Sequence, residues 1–270
     1  MKLLKYFLLF VGAFYCFQAS AGLYVEQQIT SSDSKGRKIP LKMYMSKYGM
    51  KIFGMADQAA EKNPMGKGYI IMTPKGKMYN VMTGQRMYMD MAEMMNRAQA
   101  FMPKKQTKTK MPKVNYKKLG SRKKLGKKCT MFQAKIEGKT DAMICMISMT
   151  DMGVSAADAK KIDKVFTSFN DEMTKNNPDM ASNTYDYRAL NKAMGASAFP
   201  LWSEFKSGGN TTTMMTTKFQ ARAMQASEFR VPKGYKKFQM PVFNPGTGMD
   251  PKQLEALKKQ MEQMKKQKGN

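Results

Sequence analysis

The residues from Lys127 to Phe169 restrict this chain more than any other stretch. They read as two apolar runs across a glycine turn, followed by an amphipathic segment opened by its own cap. Gly138 can supply the left-handed residue that closes a three-residue loop, Ile136-Glu137-Gly138. That loop pairs Lys135 with Lys139 and, counted outward, sets Cys129 opposite Cys145. A two-residue turn at Gly138-Lys139 would instead face Cys129 with Ser148. The sulfurs would then lie about three residues out of step, beyond the ~7 Å Cα separation that a bridge tolerates. A Cys129–Cys145 bond therefore favours the longer loop. After the hairpin, Ser155 reads as an N-cap with Asp158 three residues on, and Ile162, Val165, Phe166, Phe169 and Met173 share one helical face. A hairpin covered by a helix from Ser155 to about Thr174 is the expected nucleus of the fold.

At the N-terminus, Lys2 and Lys5 precede an apolar run from Tyr6 to Phe17, and Ala19-Ser20-Ala21 follows it. This is the pattern of a signal peptide over residues 1–21, cleaved after Ala21, because the run is too short for the roughly 20 residues that span a bilayer. Cys16 follows Tyr15, where lipidation would want a small residue, so a lipid anchor is not expected. The reading is a periplasmic or secreted protein, in which Cys129 and Cys145 meet oxidising conditions.

The remaining chain reads as one domain over residues 22–240 and a linker with a cationic C-terminal helix over 241–270. Leu23, Val25 and Ile29, then Ile39, Leu41, Met43 and Met45, alternate with polar residues as half-buried strands do. Met50 to Met55, Tyr69 to Thr73, Lys77 to Met82 and Arg86 to Met89 continue the meander across Lys47-Tyr48-Gly49, Pro74-Lys75-Gly76 and Thr83-Gly84-Gln85 turns. A short helix is expected from Asp90 to Phe101. Lys104 to Lys128 holds twelve basic residues and no acid, and reads as an exposed loop around a brief strand near Val114 to Leu119. Asn176 to Ala196 reads as irregular. Phe199 to Lys206, Thr211 to Phe219 and Gln220 to Phe229 read as strands, with Gly208-Gly209 between the first two. Asp250-Pro251 opens a last helix striped by Leu254, Leu257, Met261 and Met264.

This order of elements, with FPLWSEF, a Thr-rich strand and SEFRVPKGYKKF, resembles a family of secreted bacterial proteins of unknown function. Its closing pattern is matched by Phe229, Pro232, Gly234 and Tyr235. That family is similar in turn to the periplasmic lipoprotein carriers and receptors of the LolA/LolB type. The resemblance covers roughly Gly22 to Gln239 and implies an α+β fold. Its sheet would be a curved, incompletely closed antiparallel half-barrel with helices over the concave face. It carries over no functional residue of the carriers.

The chain has no histidine, which removes Ser-His-Asp and Cys-His nucleophiles, the usual zinc sites and the commonest general base. Ser-x-x-Lys occurs at Ser32/Lys35, Ser121/Lys124 and Ser203/Lys206, but 14 serines among 40 lysines make such matches expected by chance. Gly138-Lys139-Thr140 lacks the earlier glycine of a phosphate loop, and Gln133 stands in its place. An enzyme is not expected, and no cofactor is.

The 31 methionines and the net charge of +27 are what a function can be built on. Met43, Met45, Met87 and Met89 would share an inward face, as flexible core filler or as an adaptable lining for a lipid or other apolar ligand. Met87, Met89 and Met91 could alternatively hold Cu(I) or Ag(I) through soft thioethers. Lys117, Lys118, Lys123 and Lys124 would meet an anionic membrane surface. Nucleic acid is not an expected partner, because Tyr116 is the one stacking group in that basic stretch. The expectation is thus a non-catalytic exported binding protein, with a methionine-based metal carrier as the alternative.

Overall fold

A computed structural model describes residues 20–34, 36–54, 68–94, 114–136, 140–176, 186–207 and 209–238. Twelve strands form one sheet: β1 (Ser20–Ser31), β2 (Lys38–Ser46), β3 (Gly49–Phe53), β4 (Gly68–Met72), β5 (Met78–Met82), β6 (Met87–Asp90), β7 (Val114–Lys124), β8 (Lys127–Ile136), β9 (Thr140–Ser148), β10 (Ala198–Ser207), β11 (Asn210–Met224) and β12 (Lys236–Lys237). Their spatial order is β12-β6-β5-β4-β3-β2-β1-β11-β10-β9-β8-β7, so among the described residues the sheet ends at β12 and β7 and does not close. It is a half-barrel, as expected, with helix α1 (Ala156–Asn176) over its concave side and the shorter α2 (Tyr187–Met194) beside it. All neighbours are antiparallel except β12, which runs parallel to β6. The expected sheet had no such pair.

The meander follows from alternation. In β1 to β5, Leu23, Val25, Met43, Met45, Met50, Ile52, Met72 and Met78 are buried in one cluster beneath α1. The intervening Tyr69, Ile71 and Val81 form a separate cluster on the opposite side. Helix α1 starts where its cap says it should: Ser155 Oγ accepts from the Asp158 backbone N–H at 3.1 Å and donates to Asp158 Oδ2 at 2.9 Å. Ile162 and Val165 are buried, and Phe166 and Phe169 pack against the same core. A second cluster of Phe132, Ile144, Met146 and Ala198 lies beneath Tyr187 and Leu190 of α2. Phe166 joins the two, with its ring edge-on to Tyr187 at 4.5 Å.

Four expectations need correcting. In the central hairpin, Ile136 pairs with Thr140 and Lys135 with Asp141, so Met131, not Cys129, stands opposite Cys145. A two-residue slip leaves every side chain on its own face, which is why alternation could not detect it. The disulfide still forms, diagonally, between Cα atoms 5.5 Å apart. Second, the brief strand expected near Val114 to Leu119 within a basic loop runs on to Lys124 as an 11-residue edge strand, β7, paired along its length with β8, while residues 104–113 of that loop lie outside the described residues. Third, α2 occupies part of the stretch read as irregular. Its cap is Asp186, whose Oδ1 accepts from the backbone N–H groups of Arg188 and Ala189, and Gly195 ends it in the left-handed region. Last, β11 continues to Met224 and gives way to a 3-10 turn, Ala226–Phe229, rather than to another strand. Of the helix expected from Asp90 to Phe101, one turn at residues 91–94 is described. Residues 1–19 of the expected leader, the tail beyond residue 240 and Met173 as a helix-face residue fall outside the described residues and side chains, whereas Ser20 and Ala21, the last two of the leader, open β1.

Candidate functional site

The register places the four expected lining methionines on one side of the sheet. Met45 pairs with Leu23 and Met50, Met50 with Met72 and Met72 with Met78, while Met82 faces Met87 and Asn80 faces Met89. Met43, Met45 and Met89 are buried and Met87 half-buried. They do not meet at a point. Met43 and Met45 lie beneath α1, whereas Met87 and Met89 are four strands away, roughly 19 Å at the usual strand spacing. Met50, Met72, Met78 and Met82, which the sequence reading did not assign, fill the gap and turn the face into a continuous thioether surface. Among them Asn80 Oδ1 is buried without a hydrogen-bond partner. Of the alternative metal set, Met87 and Met89 share this face, while Met91 heads the helical turn and packs on the α1 core. Among the described residues no group of three or more Cys, Asp or Glu could hold a metal ion.

Helix α1, above this face, is tied to α2, which lies over β8 to β10. Asn191 Nδ2 donates to Asp163 Oδ1 at 2.5 Å, and Arg188 forms an ion pair with Asp171. Burial lifts the Asp163 carboxyl above its ordinary range, while the Asn191 bond and the Arg188 charge pull it back. Tyr116 of β7 accepts from the Asp186 backbone N–H at 2.9 Å, and burial pushes its hydroxyl pKa well up, so it stays protonated.

The expected anionic-surface lysines sit on the free edge. Lys117 and Lys124 project to one side of β7 and Lys118 and Lys123 to the other, as their partners Gln133, Lys127, Phe132 and Lys128 alternate. Lys124 folds back, its Nζ 5.5 Å from the Trp202 ring. The quartet therefore lines an edge and not a face. Charged side chains on such an edge also hinder strand addition.

The convex side carries a row that the sequence reading missed. Tyr24, Tyr44, Phe53 and Tyr69 from β1 to β4 succeed one another at centroid distances of 4.8, 5.8 and 5.0 Å. Lys51 Nζ lies 4.0 Å from the Tyr69 centroid and Arg222 stacks on Tyr44 at 5.0 Å. Burial lowers the Lys51 pKa. Farther along, residues 229–235 cross this side and leave a cleft of about 480 Å³ against Tyr79 and Tyr88. The closing-pattern residues Phe229, Pro232, Gly234 and Tyr235 all line it.

Among the described residues no helix is long and apolar enough to cross a membrane. Residues 26–235 match the family described as "Domain of unknown function (DUF4412)". No curated protein matches the sequence. Similar solved structures include an uncharacterized conserved protein from Thermus thermophilus, 7% identical, covering 83% of this chain and 92% of that one at a TM-score of 0.43. The MucA/MucB complex of Pseudomonas aeruginosa matches at 7% identity over 84% of this chain and 63% of that chain, with a TM-score of 0.40. A putative outer membrane lipoprotein-sorting protein domain from Vibrio parahaemolyticus matches at 10% identity over 77% and 89%, with a TM-score of 0.31. Likeness at these levels carries no ligand from those proteins to this one.

Proposed function

The chain belongs to the DUF4412 family, and from that premise we propose that it is a non-catalytic exported protein holding a lipid or other apolar molecule between α1 and the methionine face. The observation that carries this reading is the run of Met45, Met50, Met72 and Met78 across four adjacent strands beneath one amphipathic helix. A rigid core is better specified by leucine and isoleucine; thioethers bend around acyl chains of varied shape at little cost. The covering helix is held to the sheet by apolar packing and to α2 by side-chain bonds, so α1 is the element that must shift to admit a ligand and α2 is its anchor. Lys117, Lys118, Lys123 and Lys124 would bring the edge of the sheet to an anionic leaflet, each worth about 1 kcal/mol near the surface.

The test is chemical. Protein exported in its native host and purified without detergent is extracted with organic solvent and analysed by mass spectrometry. The emptied protein is then labelled with a photoreactive fatty acid. Recovery of lipid, and crosslinks in peptides from β2 to β5 or α1, are the expected results. If no lipid is extracted and a neutral apolar dye is not taken up, the reading fails.

A further inference from the structure

The turn joining β7 to β8 is Leu125-Gly126, closed by the Lys124–Lys127 pair. Both turn residues have positive φ, 50° and 71°, which is the geometry of a type I′ hairpin turn. The first position favours Asn, Asp or Gly, because a leucine's β-carbon is crowded there. Packing does not repay that strain, since Leu125 is 46% exposed. A turn selected for folding alone would read Asn-Gly. The chain instead places a large apolar side chain, in a disfavoured conformation, at the outermost point of its edge hairpin.

The surroundings say what could meet it. Lys123, Lys127 and Lys128 are exposed around the tip, and no acid occurs from Val114 to Ile136. None of the three lysines is in an ion pair among the described residues. Leu119, 47% exposed, sits on the same strand at the irregularity between Lys118 and Gly120. These are two of three large apolar side chains exposed among the described residues, and cations surround both. A polyanion would be served by the lysines alone and gains nothing from Leu125. An anionic bilayer offers phosphates to the lysines and acyl chains to the leucine in one surface.

We propose that the β7–β8 tip is a membrane-docking element, in which Leu125 enters the acyl region of an anionic leaflet while Lys123, Lys127 and Lys128 meet its headgroups. This deepens the lysine contact proposed above, and the two can fail separately. The experiment compares wild type, Leu125→Asn and the Lys117/Lys118/Lys123/Lys124→Gln variant. Each is tested on vesicles of phosphatidylethanolamine and phosphatidylglycerol in equal parts, on neutral phosphatidylcholine vesicles and on polyphosphate. Leu125→Asn should raise Tm, since Asn-Gly suits the turn, and should weaken anionic-vesicle binding about tenfold while leaving polyphosphate binding unchanged. In Leu125→Trp the new indole should be quenched by brominated acyl chains. Unchanged vesicle affinity in Leu125→Asn, an equal loss toward polyphosphate, a lowered Tm or an unquenched indole would each overturn insertion. A Gln variant that binds anionic vesicles as wild type does, while Leu125→Asn still loses affinity, overturns the Lys117, Lys118, Lys123 and Lys124 contact of the proposed function and leaves the tip contact standing. Absence of any vesicle binding overturns both.

Discussion

Asn191 donates from Nδ2 to Asp163 Oδ1 across 2.5 Å, and the same side chain accepts the Ala198 backbone N–H on its Oδ1 at 3.0 Å. One amide thus fastens α2 to α1 and to the first residue of β10. Asn191→Ala leaves a half-buried carboxylate and a backbone donor without their partner. It should cost about 2 kcal/mol, a usual figure for a bond to a charged group. Chemical denaturation would measure it. Because the bond ties α1 through α2 to β10, this variant should also speed exchange of a bound apolar probe.

The other half of the pair predicts a pH dependence. Asp163 is lifted above its ordinary 3.8 first by burial. An acid with a raised folded-state pKa binds its proton more tightly folded than unfolded. Its contribution is therefore most favourable below about pH 4 and declines as pH rises through the folded value, then stays level. Asp163→Asn keeps an acceptor for Asn191 and removes the ionisation. The variant should lack that decline and be at least as stable as wild type at pH 7. A wild-type minus variant stability difference that stays flat from pH 4 to 7 would count against it.

The disulfide gives a third expectation. Cys129 and Cys145 are 16 residues apart, and closing a loop of that size contributes roughly 3 kcal/mol in the chain-entropy account. Reductant should lower the denaturation midpoint of the wild type and leave that of Cys129→Ala/Cys145→Ala unchanged. Thiols that alkylate in the unreduced, exported protein would contradict the bond.

What the sequence made legible was what alternation and caps encode. The strands from Leu23 to Met89 and the helix opened by Ser155 fall where expected, because each has a dense apolar face. The register of the β8–β9 hairpin was hidden, since a slip of two residues preserves every face. Helix α2 carried its signals, Asp186 before it and Gly195 after it. With Tyr187 and Leu190 as its buried residues, however, it has too little apolar periodicity to be noticed. The second half of β7, Gly120 to Lys124, was obscured by composition, because its edge position lets lysines stand where a central strand would need apolar residues. Of the expected site, the common face of Met43, Met45, Met87 and Met89 was readable from period two. The distance between the pairs depends on strand order, which local pattern does not contain.

The convex side supplies the last prediction. Phe229, buried at the end of the 3-10 turn, anchors residues 229–235 across the sheet. Phe229→Ala should cost about 3–5 kcal/mol, the usual figure for emptying a packed aromatic site. Gly49 lies beneath it with φ +145°, and a β-carbon there would stand 2.3 Å from the Met72 carbonyl oxygen and 3.2 Å from Phe229 Cβ. Gly49→Ala therefore forces a backbone shift between β3 and β4 and should be severely destabilising. The two effects should add. Alanine at position 229 keeps the β-carbon that crowds Gly49, and the Met72 oxygen, part of the ladder, is the obstruction that cannot rotate away. A double-mutant cycle read by denaturant midpoint should give a coupling below ~0.5 kcal/mol. A large rescue in the double variant would place the obstruction in the Phe229 ring, and the strap rather than the backbone would then set the need for glycine.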